Sequence, residues 1–108
     1  MQMTQTLPNR VTVALSGELD QCSASQIRAQ LDTVLCDSRV THLVLDMEKL
    51  TFMDSSGIGV LLGRLRILQL RGGTLSVMNM KPPIAKLFRL TGMQRVIEVL
   101  DEPKGGRA

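Results

Sequence analysis

What most limits the folds open to this chain is a hydrophobic pattern that keeps changing its period. Val11, Val13 and Leu15 alternate with Thr12, Ala14 and Ser16, a period of two that marks a strand ending at Gly17. Ile27, Leu31, Val34 and Leu35 then fall at helical spacing. That helix is expected to open on Ser23-Ala24-Ser25-Gln26 as a capping box and to end near Cys36 to Ser38. His42 to Met47 holds Leu43, Val44 and Leu45 in a row, which suggests a strand covered on both faces. Beyond Leu50 to Met53 and Asp54-Ser55-Ser56-Gly57, residues Ile58, Leu61, Leu62, Leu65 and Leu68 share one helical face, stopped by Gly72-Gly73. Leu75, Val77 and Met78 form the next strand. Pro82-Pro83 suits the start of a third helix with Ile84, Leu87 and Phe88 inward, ended by Gly92. Val96, Ile97 and Val99 read as a last short strand, and Gln2 to Leu7 as an edge strand turned at Pro8-Asn9.

This alternation of strand and helix predicts an α/β fold: a mixed, mostly parallel sheet of four to five strands packed against three or more helices. With 108 residues the chain is expected to be one domain over 1–108, with 103–108 as a flexible tail. Hydrophobic residues at 44% and charged ones at 21% place it among globular domains. With no Trp or Tyr, and with Phe52 and Phe88 alone as aromatics, the core must be aliphatic.

Composition also removes several functions. A net charge of +3 without a basic block or stacking aromatics does not describe a nucleic-acid reader. Cys22, Cys36 and His42 are too few for a structural zinc site, and the cysteines read as reduced thiols. There is no apolar signal core and no run of the ~20 apolar residues that a membrane helix needs, so a cytoplasmic domain is expected. His42 opens a buried strand with no nucleophile near it in sequence, and Asp46 with Glu48 reads as a solvated strand end, so catalysis is not expected. Gly57-Ile58-Gly59 meets Leu62 where a dinucleotide fingerprint needs glycine, so no cofactor is expected. Gly59 and Gly63 read instead as letting the helix approach the sheet or a partner closely.

Asp54-Ser55-Ser56-Gly57 lies between a strand and a helix, at the strand end where α/β folds meet their partners. Asp and Ser are both good N-caps, but capping needs only one of them. Free helix amides and the positive end of the helix dipole also suit a phosphoryl group. The residues alone leave capping and regulatory phosphorylation both open.

Gly17-Glu18-Leu19-Asp20, Leu50 to Arg64 with its Phe52-Met53-Asp54-Ser55-Ser56-Gly57 stretch, and Pro83 to Phe88 with Thr91-Gly92 resemble the STAS family of anti-sigma factor antagonists, its sporulation branch above all. The resemblance spans the chain from the second strand to Val99. It implies a partner that is both anti-sigma factor and serine kinase, bound by the unphosphorylated protein so that sigma is released. It further implies phosphorylation of the serine after the motif aspartate, here Ser55, reversed by a PP2C-type phosphatase. The partner-facing set on this reading is Glu18, Asp20, Asp54, Ser56, Gly57, Ile58, Val60, Arg64 and Ile67. Within it, Glu18 and Asp20 are candidates to pair with a basic residue of the kinase, and Val60 and Ile67 to offer an apolar contact off the buried helix face. The protein is expected to be a monomer or weak dimer. The alternative is a non-catalytic STAS scaffold or binding subunit of a stress-signalling or transport assembly.

Overall fold

A computed structural model describes residues 2–100. The elements run β1 (Gln2–Leu7), β2 (Arg10–Leu19), α1 (Ala24–Leu35), β3 (His42–Met53), α2 (Ser55–Leu70), β4 (Thr74–Met78), α3 (Pro82–Thr91), a 3₁₀ turn at Met93–Arg95, and β5 (Glu98–Val99). The five strands lie side by side in chain order. β1 is antiparallel to β2, and each later neighbour pair is parallel. Because every crossover steps the same way, and such crossovers are right-handed, the helices collect on one face of the sheet.

The core follows from that arrangement. Val11, Val13 and Leu15 of β2, Leu43 and Leu45 of β3, and Leu75 and Val77 of β4 meet Leu31, Leu61, Leu68, Ile84 and Phe88 of the helices. Their alternates on β2, Thr12, Ala14 and Ser16, are half-buried or exposed. The central strand is covered on both faces over Leu43-Val44-Leu45, as its continuous apolar run suggests. On the face away from the main core, Val44 is buried at 1% exposure, in register with Thr12 and the equally buried Ser76.

Both central strands run further than their apolar patterns suggest. β2 does not end at Gly17; that residue takes φ +81°, the register with β3 shifts there, and the strand continues until Leu19 is fully buried. Glycine reaches this conformation without a Cβ clash, so the bulge re-aims the chain instead of stopping it. β3 likewise continues to Met53, pairing Glu18 with Phe52 and Leu19 with Met53. β4 pairs with β3 only from His42 to Asp46. The ends of β2 and β3 therefore project as a two-stranded extension past β4.

The helix ends also differ from the sequence pattern. Ser23 does not cap α1 through its side chain. Its Oγ donates to the Glu18 carbonyl at 2.7 Å and accepts from the Asp20 amide at 3.0 Å. Asp20 Oδ1 takes the Cys22 and Ser23 amides at 2.9 and 3.0 Å, because an ionised carboxylate is a stronger acceptor than a hydroxyl. On α2 the buried arc is wider than one stripe: Val60 and Arg64 are buried, whereas Leu62 is 42% exposed. The cause is that α2 packs against α1 as well as against β3 and β4. At the chain end, Gly92 stops α3 at φ +76°, Val96 is exposed, and β5 shrinks to Glu98–Val99. The expected tail at 103–108 lies outside the described residues. Both cysteines are free and exposed, and no helix among the described residues is long and apolar enough to cross a membrane.

One side chain ties the far end of the helical layer. Arg71 donates to the carbonyls of Leu35 at 2.6 Å, Val40 at 3.0 Å and Asp37 at 3.3 Å, satisfying the end of α1 and the turn after it. Beside it, hydrogen bonds from Arg39 hold the Asp37 carboxyl down at about 2, so that pair stays charged at neutral and mildly acidic pH. Arg71→Met should lower stability by about 1.5–3 kcal/mol, the range for hydrogen bonds to a charged group. Chemical denaturation would read this as a lower midpoint at unchanged slope.

Candidate functional site

The site is built on the β2–β3 extension. Asp54 leaves β3 in an extended conformation (φ −119°, ψ −167°), and its Oδ1 accepts the Ser56 amide at 2.8 Å. Its own amide donates to the Leu19 carbonyl at 3.3 Å, joining the end of β2 to the start of α2. Asp54 is therefore the N-cap, and neither serine is needed for that task. Ser55 is the first residue of α2 and is exposed, and among the described residues its hydroxyl has no hydrogen-bond partner. No acidic side chain occupies the first turn of the helix, so its positive end is neutralised only by the cap itself.

Gly57 explains how the helix begins so close to the strands. A Cβ there would meet Met53 Cγ at 2.5 Å and Leu19 Cγ at 2.8 Å. Gly59 and Gly63, expected to provide close approach, have nothing within 4 Å of a Cβ position. They open instead onto a groove of about 450 Å³ between α1 and α2, lined also by Gln21, Ser25, Arg28, Ser56 and Arg64. Sequence spacing singled out the glycine pair on the exposed side and missed Gly57 as the packing residue. The usable signal was its place three residues after the cap, where the helix still lies against the strand it has just left. Gly57→Ala should cost about 1–3 kcal/mol, as overpacking does. It should also displace the Ser55 loop, which would appear as amide shifts at Asp54, Ser55 and Ser56.

The residues expected to face a partner divide into two groups. Glu18 is exposed, Asp20 is half-buried with one oxygen engaged in its turn, and Asp54, Ser55 and Ser56 stand at the adjacent strand end. These are brought together. Gly57, Ile58, Val60 and Arg64 are buried, and Ile67 is half-buried against the core. The apolar contact expected from Val60 and Ile67 is therefore corrected: Val60 faces the core, because α1 covers that side of α2. The exposed apolar residue near the loop is Phe52, at 47%, which the strand reading passed over.

The strand order never reverses, so the crevice that doubly wound sheets open at a reversal does not form. What the fold presents is a projecting edge with the exposed Ser55 hydroxyl at its tip, beside a half-buried Ser56 whose hydroxyl is likewise unbonded among the described residues.

The comparisons with known proteins agree with this fold. Residues 1–104 match the STAS domain family. The chain is 37% identical over 89 residues to an anti-sigma F factor antagonist of Paenibacillus polymyxa, a match that covers 82% of this chain and 76% of that one. The unphosphorylated form of the anti-sigma factor antagonist SpoIIAA superposes with a TM-score of 0.74 at 33% identity, over 97% of this chain and 91% of the other. The phosphorylated form of SpoIIAA, a Bacillus cell fate determinant, gives 0.72 at 34%, over 96% and 94%. The chain belongs to the STAS domain family, and within it resembles the anti-sigma F factor antagonists.

Proposed function

We propose that this protein is an anti-sigma factor antagonist of the cytoplasm. Unphosphorylated, it binds an anti-sigma factor that is also a serine kinase and so frees the sigma factor. The kinase inactivates it by phosphorylating Ser55, and a PP2C-type phosphatase restores it. The observation that carries this reading is the free Ser55 hydroxyl at the first position of α2, spared from capping by Asp54. Its support from kinship is the likeness to anti-sigma F factor antagonists and to SpoIIAA, which is known in an unphosphorylated and a phosphorylated form.

The physical steps follow from the loop. An exposed hydroxyl on a projecting edge reaches into a kinase site without unfolding α2. Glu18, opposite Phe52 on the neighbouring strand, offers a carboxylate to a basic side chain of the kinase. Asp20 serves first to shape the turn below it and contributes less directly. After transfer, the phosphoryl group brings about −1.5 to −2 charge to the positive end of α2, which tolerates it, and next to Asp54, which raises the negative potential of the docking edge.

The test is mass spectrometry after incubation with the cognate anti-sigma kinase and ATP. One phosphate on Ser55, absent from Ser55→Ala, is expected. A complex that forms without phosphorylation would reduce the protein to a non-phosphorylated binding module.

A further inference from the structure

We infer that the groove between α1 and α2 receives an acidic side chain of the kinase that docks on the Ser55 loop, an inference that rests on the function proposed above. The groove is continuous with that loop, since Ser56 follows Ser55 and lines the groove wall. Its lining carries two cations, Arg28 and Arg64, and no acidic residue. Gly59 and Gly63 leave its floor open, with no atom near either Cβ position.

Arg64 is the observation that points to a ligand. The residue is 8% exposed, and its Nη1 is buried without any acceptor. Its Nε lies 3.0 Å from Asp32 Oδ1, but the oxygen is off the N–H direction, so the contact is an ion pair without a hydrogen bond. These donors are enclosed, so a carboxylate entering the groove bonds them only as the Arg64 head turns outward; its two oxygens then match the fork of the arginine. Arg28, exposed at the same groove, supplies the charge that attracts the group from solvent. Asp32 already offsets part of the charge of Arg64, which favours a singly charged carboxylate over a phosphate. With Glu18 exposed at the end of β2, opposite Phe52, the docking face carries a negative as well as a positive group. A partner with the complementary pair of charges can then sit on it in one orientation only.

The experiment measures affinity of the full chain for the purified cognate kinase, across a salt series, for wild type, Arg28→Glu and Gly63→Met. Both substitutions are at sites where the fold has room. Arg28→Glu should weaken binding about tenfold or more and flatten the salt dependence, and Gly63→Met should weaken it by filling the groove. Wild-type affinity in both variants overturns the inference while leaving phosphorylation at Ser55 untouched. Weakening by Gly63→Met alone also overturns it, since the groove would then hold an uncharged group. A wild-type protein that bound no kinase would instead sink the proposed function. The groove would then be read directly, by amide shifts at Gly59 and Gly63 on titration with hexaglutamate. Shifts that Arg28→Glu weakens support a carboxylate site, and no shifts, or shifts with inorganic phosphate alone, overturn it.

Discussion

Ser55→Asp is expected to bind the anti-sigma kinase about 10²–10³-fold more weakly than wild type while folding normally. The two halves of this expectation have separate causes. Folding is spared because an anion at the start of a helix is stabilising, by about 0.3–1 kcal/mol at an exposed position. Ser55 is such a position, on α2 and free of other bonds among the described residues. Binding is lost because the same charge, once enclosed by a partner, has Asp54 beside it in sequence, while the nearest cations of the groove, Arg28 and Arg64, are engaged by the partner's own acidic group on the reading above. An unpaired charge buried in an interface costs about 3–5 kcal/mol, which sets the size of the loss. Ser55→Ala should retain wild-type affinity and resist inactivation. Calorimetry on the three proteins, paired with thermal melts, separates the causes. Binding by Ser55→Asp within a few-fold of wild type would falsify the electrostatic account of the switch.

Gly73→Ala is expected to be the most damaging small substitution away from the docking edge. The glycine follows α2, where Gly72 turns the chain at φ +74° and the Gly73 amide donates to the Leu68 carbonyl at 2.8 Å. A Cβ on Gly73 would collide with the backbone carbonyl of Thr41. That carbonyl is itself fixed by the Thr74 amide at 2.9 Å. A side chain can rotate away from an intruding methyl, but a backbone group bonded in place moves only with the strand that carries it. The cost should therefore reach the upper end of overpacking, about 3 kcal/mol. In a domain of this size that is a fall in Tm of more than ~10 °C. Gly72→Ala offers a contrast, since its conformation is strained but its Cβ meets no atom within 4 Å. A Gly73→Ala melting curve within two or three degrees of wild type would show that β3 and β4 can part at this point without loss.

The alternation of strands and helices was legible because each change of period leaves a mark within a few residues. Val11-Val13-Leu15 and Ile84-Phe88 each report the side that meets the core, and both are buried as expected. What the pattern could not report was a second neighbour. The arc of α2 was misjudged at Val60, Leu62 and Arg64 because α1, which begins 31 residues earlier in the chain, covers a side that a single stripe does not anticipate. The same limit applies to Gly57, whose role depends on Leu19 from a different strand. At the site, the local facts were accessible and the shared ones were not. Asp54 and Ser55 could be placed at a helix start from their own residue types, but which of them caps was fixed by the path of β3. The choice of Ser55 as the proposed phosphorylation site came from family likeness and not from spacing; the fold leaves Ser55 exposed and Ser56 half-buried.

The agreement between strand order and chain order bears on how the protein is made. On the ribosome, β2 can pair with β1 as it emerges, β3 with β2 once α1 has appeared, and β4 with β3 after α2. No strand has to wait for a later one to be threaded beside it, so a growing chain has a single advancing sheet edge to protect from other nascent chains. β2, β3 and the start of α2, which carry the Ser55 loop, are all made before β4, α3 and β5. Ribosome-bound chains ending just beyond α2 should therefore be the shortest on which the Ser55 loop takes its final shape, and the remaining residues would serve to lock it.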